Sequence, residues 1–238
     1  MSQPGVVPGM SVELHAARAH LGVSQGHNPG SETQFFDTSG STNHGTLKTF
    51  AFTTASGYAG AGTSGDPYRL VFDGGSDYVA LPDLGACEDG VYAYECWAKH
   101  PSYAGNSVFM GEGANSGRLD IESRRVRFQV AGTSTVTINS ADFTDDDAVH
   151  HMVAVADGTN MRLYVDDVLK AGPTALPANI VASSSTNLGY VNGGRLKAAA
   201  SILAARIYPF ALSAPQVAQN YAAGYLWRGD PPGACGFW

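Results

Sequence analysis

The sequence predicts an all-β fold, a two-sheet antiparallel sandwich of jelly-roll type with one short C-terminal helix, and three observations carry that prediction. The first is Tyr68 to Pro82, YRLVFDGGSDYVALP, where two alternating runs of apolar, β-branched and aromatic residues flank Asp73, Gly74, Gly75, Ser76 and Asp77. Glycine enters the left-handed region without steric cost and Asp bonds its own backbone, so an Asp-Gly step between hydrophobic runs reads as a hairpin. The second is composition: 15% of residues are charged, against 29 glycines and 12 prolines, the balance of short strands joined by tight turns. The third is the short, regular spacing of strand candidates. At 238 residues the chain can bury a sizeable core, and a sandwich of this length reads as one domain.

In chain order, residues 1–10 are rich in Pro and Gly and read as a flexible arm, residues 11–226 as the domain, and residues 227–238 as a tail. Ser11 to Leu21 is too short and mixed to assign. Gly22 to Gly45, which contains FFDTSGSTNHG, and Thr53 to Asp66 are polar and Gly-rich and read as loops. Strands are predicted over Tyr68–Phe72 and Tyr78–Leu81, then over Tyr92–Lys99, Ser107–Gly111, Arg118–Glu122, Val126–Val130, Thr135–Asn139, His151–Ala156, Arg162–Asp166, Asn187–Tyr190 and Ile202–Tyr208. About eleven strands suit two packed sheets. One helix is specified in FALSAPQVAQNYAAG. Ser213 is its N-cap, Gln216 completes a capping box, Leu212 staples onto Val217, and Gly224 stops it.

A formal net charge of -7 with no basic stripe argues against a nucleic-acid partner. The amino terminus lacks the charged and apolar regions of an ordinary secretory signal, and no apolar run reaches the roughly 18 residues that a membrane helix needs. The expectation is a protein made in the cytoplasm, with no membrane partner. Cys87, Cys96 and Cys235 form no metal-spaced pair; Cys87 and Cys96 are placed to bridge a hairpin, but free thiols fit that compartment better.

Segments FFDTSGSTNHGTL, SGYAGAGTSGDPYRLVFDGGSDYVALP, YAYECWAK, HHMVAVADGTNMRLYVDD and ARIYPFALSAPQVAQNYAAG, in this order over Val12 to Gly224, together resemble the laminin-G-like jelly roll of the concanavalin A-like superfamily. NHGTL ahead of an SGY loop and an FDG strand pair is similar in particular to virion proteins of tailed bacteriophages. The resemblance implies a structural protein of a virion, decorating a capsid or forming part of a tail or fibre. Its partners would be other virion proteins, commonly in a homo-oligomer, and host-surface glycans. It equally suits a carbohydrate-binding module, and less well a glycoside hydrolase. Two departures stand out: YVDD at Tyr164 to Asp167 in place of a YVDG hairpin, and His150–His151 where relatives place a Trp.

The superfamily includes endoglucanases that use an ExDxE strand, with nucleophile and acid/base on one face. Here the strand is RLDIE, and Arg118 stands at the nucleophile's position, where a guanidinium neither attacks carbon nor accepts a proton at neutral pH. The expectation is therefore no enzyme and no catalytic residue, with Leu119 and Ile121 facing the core and Arg118, Asp120 and Glu122 facing out. GAGTSG at Gly60 to Gly65 precedes a strand and opens no helix, so it reads as a flexible loop rather than a dinucleotide site. No GxSxG, HExxH or P-loop motif occurs. On a strand, His150 and His151 point to opposite faces and cannot chelate as neighbours.

Calcium is the one cofactor that the resemblance implies. Asp37, Asn43 and Asp73 lie in matching loops and offer the oxygens that a hard cation requires, while Asx-turn formation is the ordinary role of such residues. Sugar stacking would use Tyr58, Tyr103 and Tyr190 with Asn192 for hydroxyls; closing the ends of the core is the alternative for each. Arg228 to Asp230 spells RGD, a tripeptide common enough to discount. The tail ends in Phe237 and Trp238, and their exposure on a monomer would be costly, so they are candidates for docking on a neighbouring subunit or folding back.

Overall fold

In a computed structural model of the chain, the structure describes residues 5–16, 34–84, 89–100, 107–112, 117–141, 148–180, 185–191 and 200–225. Its strands are β1 (Val12–His15), β2 (Gln34–Phe35), β3 (Gly45–Lys48), β4 (Gly57–Ala59), β5 (Arg69–Val71), β6 (Tyr78–Leu81), β7 (Val91–Lys99) and β8 (Ser107–Glu112). They continue as β9 (Arg118–Glu122), β10 (Arg125–Ala131), β11 (Thr135–Asn139), β12 (Val149–Asp157), β13 (Asn160–Val165), β14 (Val168–Ala175), β15 (Thr186–Leu188) and β16 (Ser201–Tyr208). The C-terminal helix is α1 (Ala214–Ala223).

The first sheet runs β14-β13-β12-β7-β16-β5-β4, with β1 also pairing β16, and the second runs β11-β10-β9-β8-β15-β6-β3-β2. Every described pairing is antiparallel, as the alternating patterns require. This is the two-sheet jelly-roll sandwich that the sequence predicts. The inner faces meet in one core: Tyr92, Tyr94 and Cys96 of β7 and Met152 and Ala154 of β12 lie with Phe109, Leu119, Ile121, Val126 and Phe128 of the other sheet. Cys96 is a free thiol, and burial pushes its pKa up. Cys87 and Cys235 lie outside the described residues.

All eleven predicted strands form, with ends shifted by a residue or two. Five more form where none was predicted. β2, β3 and β4 span 2, 4 and 3 residues in the Gly-rich stretches, where so few residues show no period. β1 is a buried VELH run that pairs with β16, and β14 is a half-exposed edge strand. β14 carries Pro173, which an edge tolerates because its missing N–H faces no neighbour.

Two hairpin loops take positive φ at both central residues without a glycine: Ser123 and Arg124 at 49° and 69°, and Asp166 and Asp167 at 50° and 67°. The YVDD segment thus keeps the two-residue turn, between paired Val165 and Val168, with Asp167 standing where glycine is preferred.

On the outer face of the first sheet, α1 buries Val217 against β7, β12 and β16, and Ala223 is buried as well. Leu212 and Val217 share that cluster, and the Ser213 N–H donates to Gln216 Oε1 at 2.9 Å, as the staple and capping box predicted. Gly5 to Met10, the described part of the predicted arm, lies along the helix. Val7 is buried and its N–H donates to Asn220 Oδ1 at 2.9 Å, while Gln219 Nε2 donates to the Gly5 carbonyl at 2.7 Å.

Candidate functional site

Strand alternation puts Leu119 and Ile121 of β9 into the core and Arg118, Asp120 and Glu122 on the opposite face. That face is not open as expected: Asp120 is 0% exposed and Arg118 7%. The reason lies on β10, where Val126, Phe128 and Val130 point inward and the residues between them point outward. Register sets Arg127 directly across from Asp120, and Gln129 across from Arg118. Arg127 Nε and Nη2 each donate to the Asp120 carboxylate at 2.7 Å, a bidentate pair. Arg118 Nε lies 2.5 Å from Asp120 Oδ2, its Nη2 donates to Gln129 Oε1, and Arg127 Nη1 donates to Glu122 Oε2. Burial pushes the Asp120 carboxyl up, against the pull of the two guanidinium groups. Chemically the face is an occupied clamp: two cations hold the central carboxylate and engage the outer one. The sequence reading missed Arg127, although Arg125, Arg127 and Gln129 alternate with apolar residues in RVRFQVA.

A second buried polar group lies on the first sheet beneath α1. Arg206 of β16 is 0% exposed; its Nη1 donates to Glu95 of β7, and its Nε to Glu13 Oε1 of β1 at 3.0 Å. Asn220 of α1 donates to Glu95 Oε2 at 2.5 Å and to the Tyr208 hydroxyl at 2.9 Å. Burial works to raise Glu95 and Glu13, and their cationic neighbours overcome it, holding both at about 2. His151, the second of the His-His pair, lies 3.3 Å from Glu95 Oε1 and packs on Trp97 at 4.6 Å between ring centres. His150 takes the other face and bonds Asp166 at 2.6 Å, so the pair does diverge. The group ties the helix and both described ends of the chain to the sheet.

The calcium candidates are not brought to one place. Asp37 and Asn43 are close: Asp37 accepts N–H bonds from Glu13, Ser39 and Asn43, all at 2.9 Å, and Asn43 Nδ2 donates to the Ser11 carbonyl at 2.9 Å. Asp73 sits in the DGGSD turn, accepting from Gly75 N–H at 2.7 Å and Ser76 N–H at 3.0 Å. Asp37 and Asn43 lie by the Gly45 end of β3 and Asp73 by the Lys48 end, with the strand between them, roughly 10 Å. Among the described residues no group of three His, Cys, Asp or Glu is placed to hold a metal ion.

Of the sugar candidates, Tyr58 proves to be core. Gly57–Ala59 forms a strand, which turns the ring inward to 0% exposure, edge-on to Phe35 at 6.3 Å. Tyr190 is half-buried and packs on Tyr78 at 5.2 Å. Tyr103, Asn192, Phe237, Trp238 and the RGD tripeptide lie outside the described residues.

A model of the concanavalin A-like lectin/glucanases superfamily, of laminin-G type, matches residues 73–218. Comparison with curated protein sequences gives no match. Among solved structures, domain 4 of AbnA, an extracellular arabinanase from Geobacillus stearothermophilus solved in complex with arabinotriose, is similar at a TM-score of 0.63 and 17% identity. The match covers 91% of this chain and 98% of that one. The receptor-binding domain of botulinum neurotoxin type G is similar at 0.60 and 12%, over 90% of this chain and 51% of that domain. Trypanosoma rangeli sialidase in complex with sialic acid is similar at 0.63 and 12%, over 93% of this chain and 36% of the sialidase. The chain thus spans about half the toxin domain and about a third of the sialidase, and at these identities the likeness is one of fold.

Proposed function

The chain belongs to the concanavalin A-like lectin/glucanases superfamily, and from that premise we propose that it is a non-enzymatic, lectin-like jelly roll carried on a bacteriophage virion, as a capsid decoration or a tail or fibre component. The observation that carries the non-enzymatic reading is the clamp on β9. Retaining glycoside hydrolysis needs two carboxyl groups about 5–5.5 Å apart, one to attack and one to exchange a proton. Here Arg118 stands in the first position, Asp120 is held bidentately by Arg127, and Glu122 also bonds Arg127. The virion setting is supported by the phage-like order of NHGTL, SGY and FDG segments, with other virion subunits as partners. Antibody labelling of native particles in the electron microscope tests it: label on capsid or tail is expected, and unlabelled intact particles would overturn it. Release of reducing sugar from laminarin would overturn the non-enzymatic assignment.

A second reading, a carbohydrate-binding module for host or environmental glycans, is favoured by the near end-to-end match to an arabinanase domain solved with arabinotriose. The two are compatible, since a virion jelly roll that binds glycans satisfies both. A glycan array of the whole chain tests it, and an array blank across neutral and acidic glycans would remove it.

A further inference from the structure

An edge strand presents unpaired backbone N–H and C=O groups, and sheets blunt such edges with short strands, charges, prolines, bulges or a cover. Among the described strands, most edges of this sandwich carry one of these devices. β14 has Lys170 at a register shift and Pro173. β4 is three residues long and wholly buried, and β2 has two residues. β1, beside β16, is covered by the Asp37 segment: the Glu13 N–H donates to Asp37 Oδ1 at 2.9 Å, and the Thr38 N–H to the Glu13 carbonyl at 2.8 Å. β11 has none of them. TVTIN runs five residues in unbroken register with β10, without charge, proline or glycine, and exposes Thr135, Thr137 and Asn139.

Two bonds fix which backbone groups β11 leaves free. The Ser140 N–H donates to the Val126 carbonyl at 2.8 Å, and the Gly132 N–H to the Ser134 carbonyl at 2.9 Å. With Ile138 opposite Phe128 and Val136 opposite Val130, the alternation of an antiparallel pair follows: Val136 and Ile138 turn their N–H and C=O groups to β10, and Thr135, Thr137 and Asn139 turn theirs to the outside. Among the described residues no backbone group bonds them there. The side chains alternate in the other direction. Val136 and Ile138 face the core, while Thr135, Thr137 and Asn139 share the outer face with Gln129 and Arg127. β14, on which Val168 and Leu169 are 53% and 45% exposed, lies against β11 on the same side of the sandwich.

We infer that β11 is the docking edge for a second copy of this chain, paired antiparallel about a two-fold axis through Thr137. That axis sets Thr137 opposite its own counterpart, Thr135 opposite the second copy's Asn139, and Val136 opposite the second copy's Ile138. The three residues whose backbone groups point outward thus fall into hydrogen-bonded pairs, each exchanging both bonds. Polar side chains meet polar ones on the outer face and apolar ones meet apolar ones on the inner face. No like charges meet, because Ser134 to Ser140 carries none. The segment matches itself in free groups, polarity and charge at once, which is what a self-complementary two-fold interface requires and an unrelated strand does not supply. The second sheet then continues across the axis, with the outer faces of both copies on one side of the dimer.

Analytical ultracentrifugation of the whole chain over a concentration series tests it, with amide hydrogen exchange as the local readout. A reversible dimer is expected, and the Thr135, Thr137 and Asn139 amides gain protection as it forms. Thr137→Lys sets two ammonium groups against each other at the axis and should weaken dimerisation several-fold. Thr137→Pro removes the central N–H, which bonds nothing in β10, and should abolish it. Thr137→Lys, on the exposed face, decides the matter if the proline disturbs the strand. A chain that stays monomeric at its highest soluble concentration would overturn the inference, and so would a dimer that Thr137→Lys leaves intact, since it would use another surface. Protection of the three amides at every concentration would show another segment of the same chain on the edge, and protection gained by a monomer only when intact particles are added would show a different protein there; either result removes the second copy.

Discussion

Arg124, at φ 69° in the β9–β10 turn, sits in a conformation that costs an L-residue about 1–2 kcal/mol and a glycine nothing. Offsetting this against the looser unfolded chain, Arg124→Gly is expected to stabilise the fold by about 0.5–1 kcal/mol, read as a higher urea midpoint at unchanged slope. Glu95 makes a pH prediction. Its carboxyl is lowered from 4.5 to about 2, because the charged form is held by Arg206 and His151 against the cost of burial. The folded state therefore binds this proton less readily than the unfolded chain does. The stabilisation is present above pH 4.5 and lost as pH falls from there through about 2, and it is worth on the order of 3 kcal/mol. Glu13 adds in the same direction. Glu95→Gln should flatten that limb of a stability-against-pH curve while lowering the plateau at neutral pH; an unchanged acid limb would show that the carboxylate is not what acid removes.

At the scale of the element, α1 is held by one apolar anchor and one polar one. Val217 is fully buried beside Leu212 and Tyr208, so Val217→Ala should cost about 2 kcal/mol in thermal or denaturant unfolding. This helix was readable because its signals are local: a cap, a staple and a glycine stop within a dozen residues. Long strands such as β7 and β12 were equally plain, since nine residues, most of them buried and apolar, carry their own pattern. β2 to β4 were not, because strands this short are made by the neighbours they pair with, and Tyr58 was misplaced with them. The candidate sites were legible only by halves. Arg118 and Asp120 could be read two residues apart on one strand, but Arg127 joins them through a cross-strand register that no local spacing encodes. Asp37, Asn43 and Asp73 matched in residue type, and the sheet then placed them at opposite ends of β3.

At the scale of the molecule, the first sheet is closed by its last strand: β16 pairs with β1, β5 and β7. A chain ending at Ala200 retains every described strand of the second sheet yet loses the partner that joins three strands of the first. It is expected to show no cooperative unfolding transition and to bind a hydrophobic dye, whereas a sharp transition would mean that the second sheet folds alone. The pairing of Val12 with Ile207 also sets a clock on biosynthesis. About 195 residues separate the two, so at roughly 5–20 residues per second the first strand waits on the order of 10–40 s after leaving the ribosome before its partner exists. For that interval VELH is a strand with an unpaired edge and one apolar face, Val12 and Leu14, and a crowded polysome making many copies offers it the same strand on the neighbouring chain. Slower synthesis at lower temperature should therefore raise the soluble yield more through fewer encounters between nascent chains than through any gain in the stability of the finished sandwich.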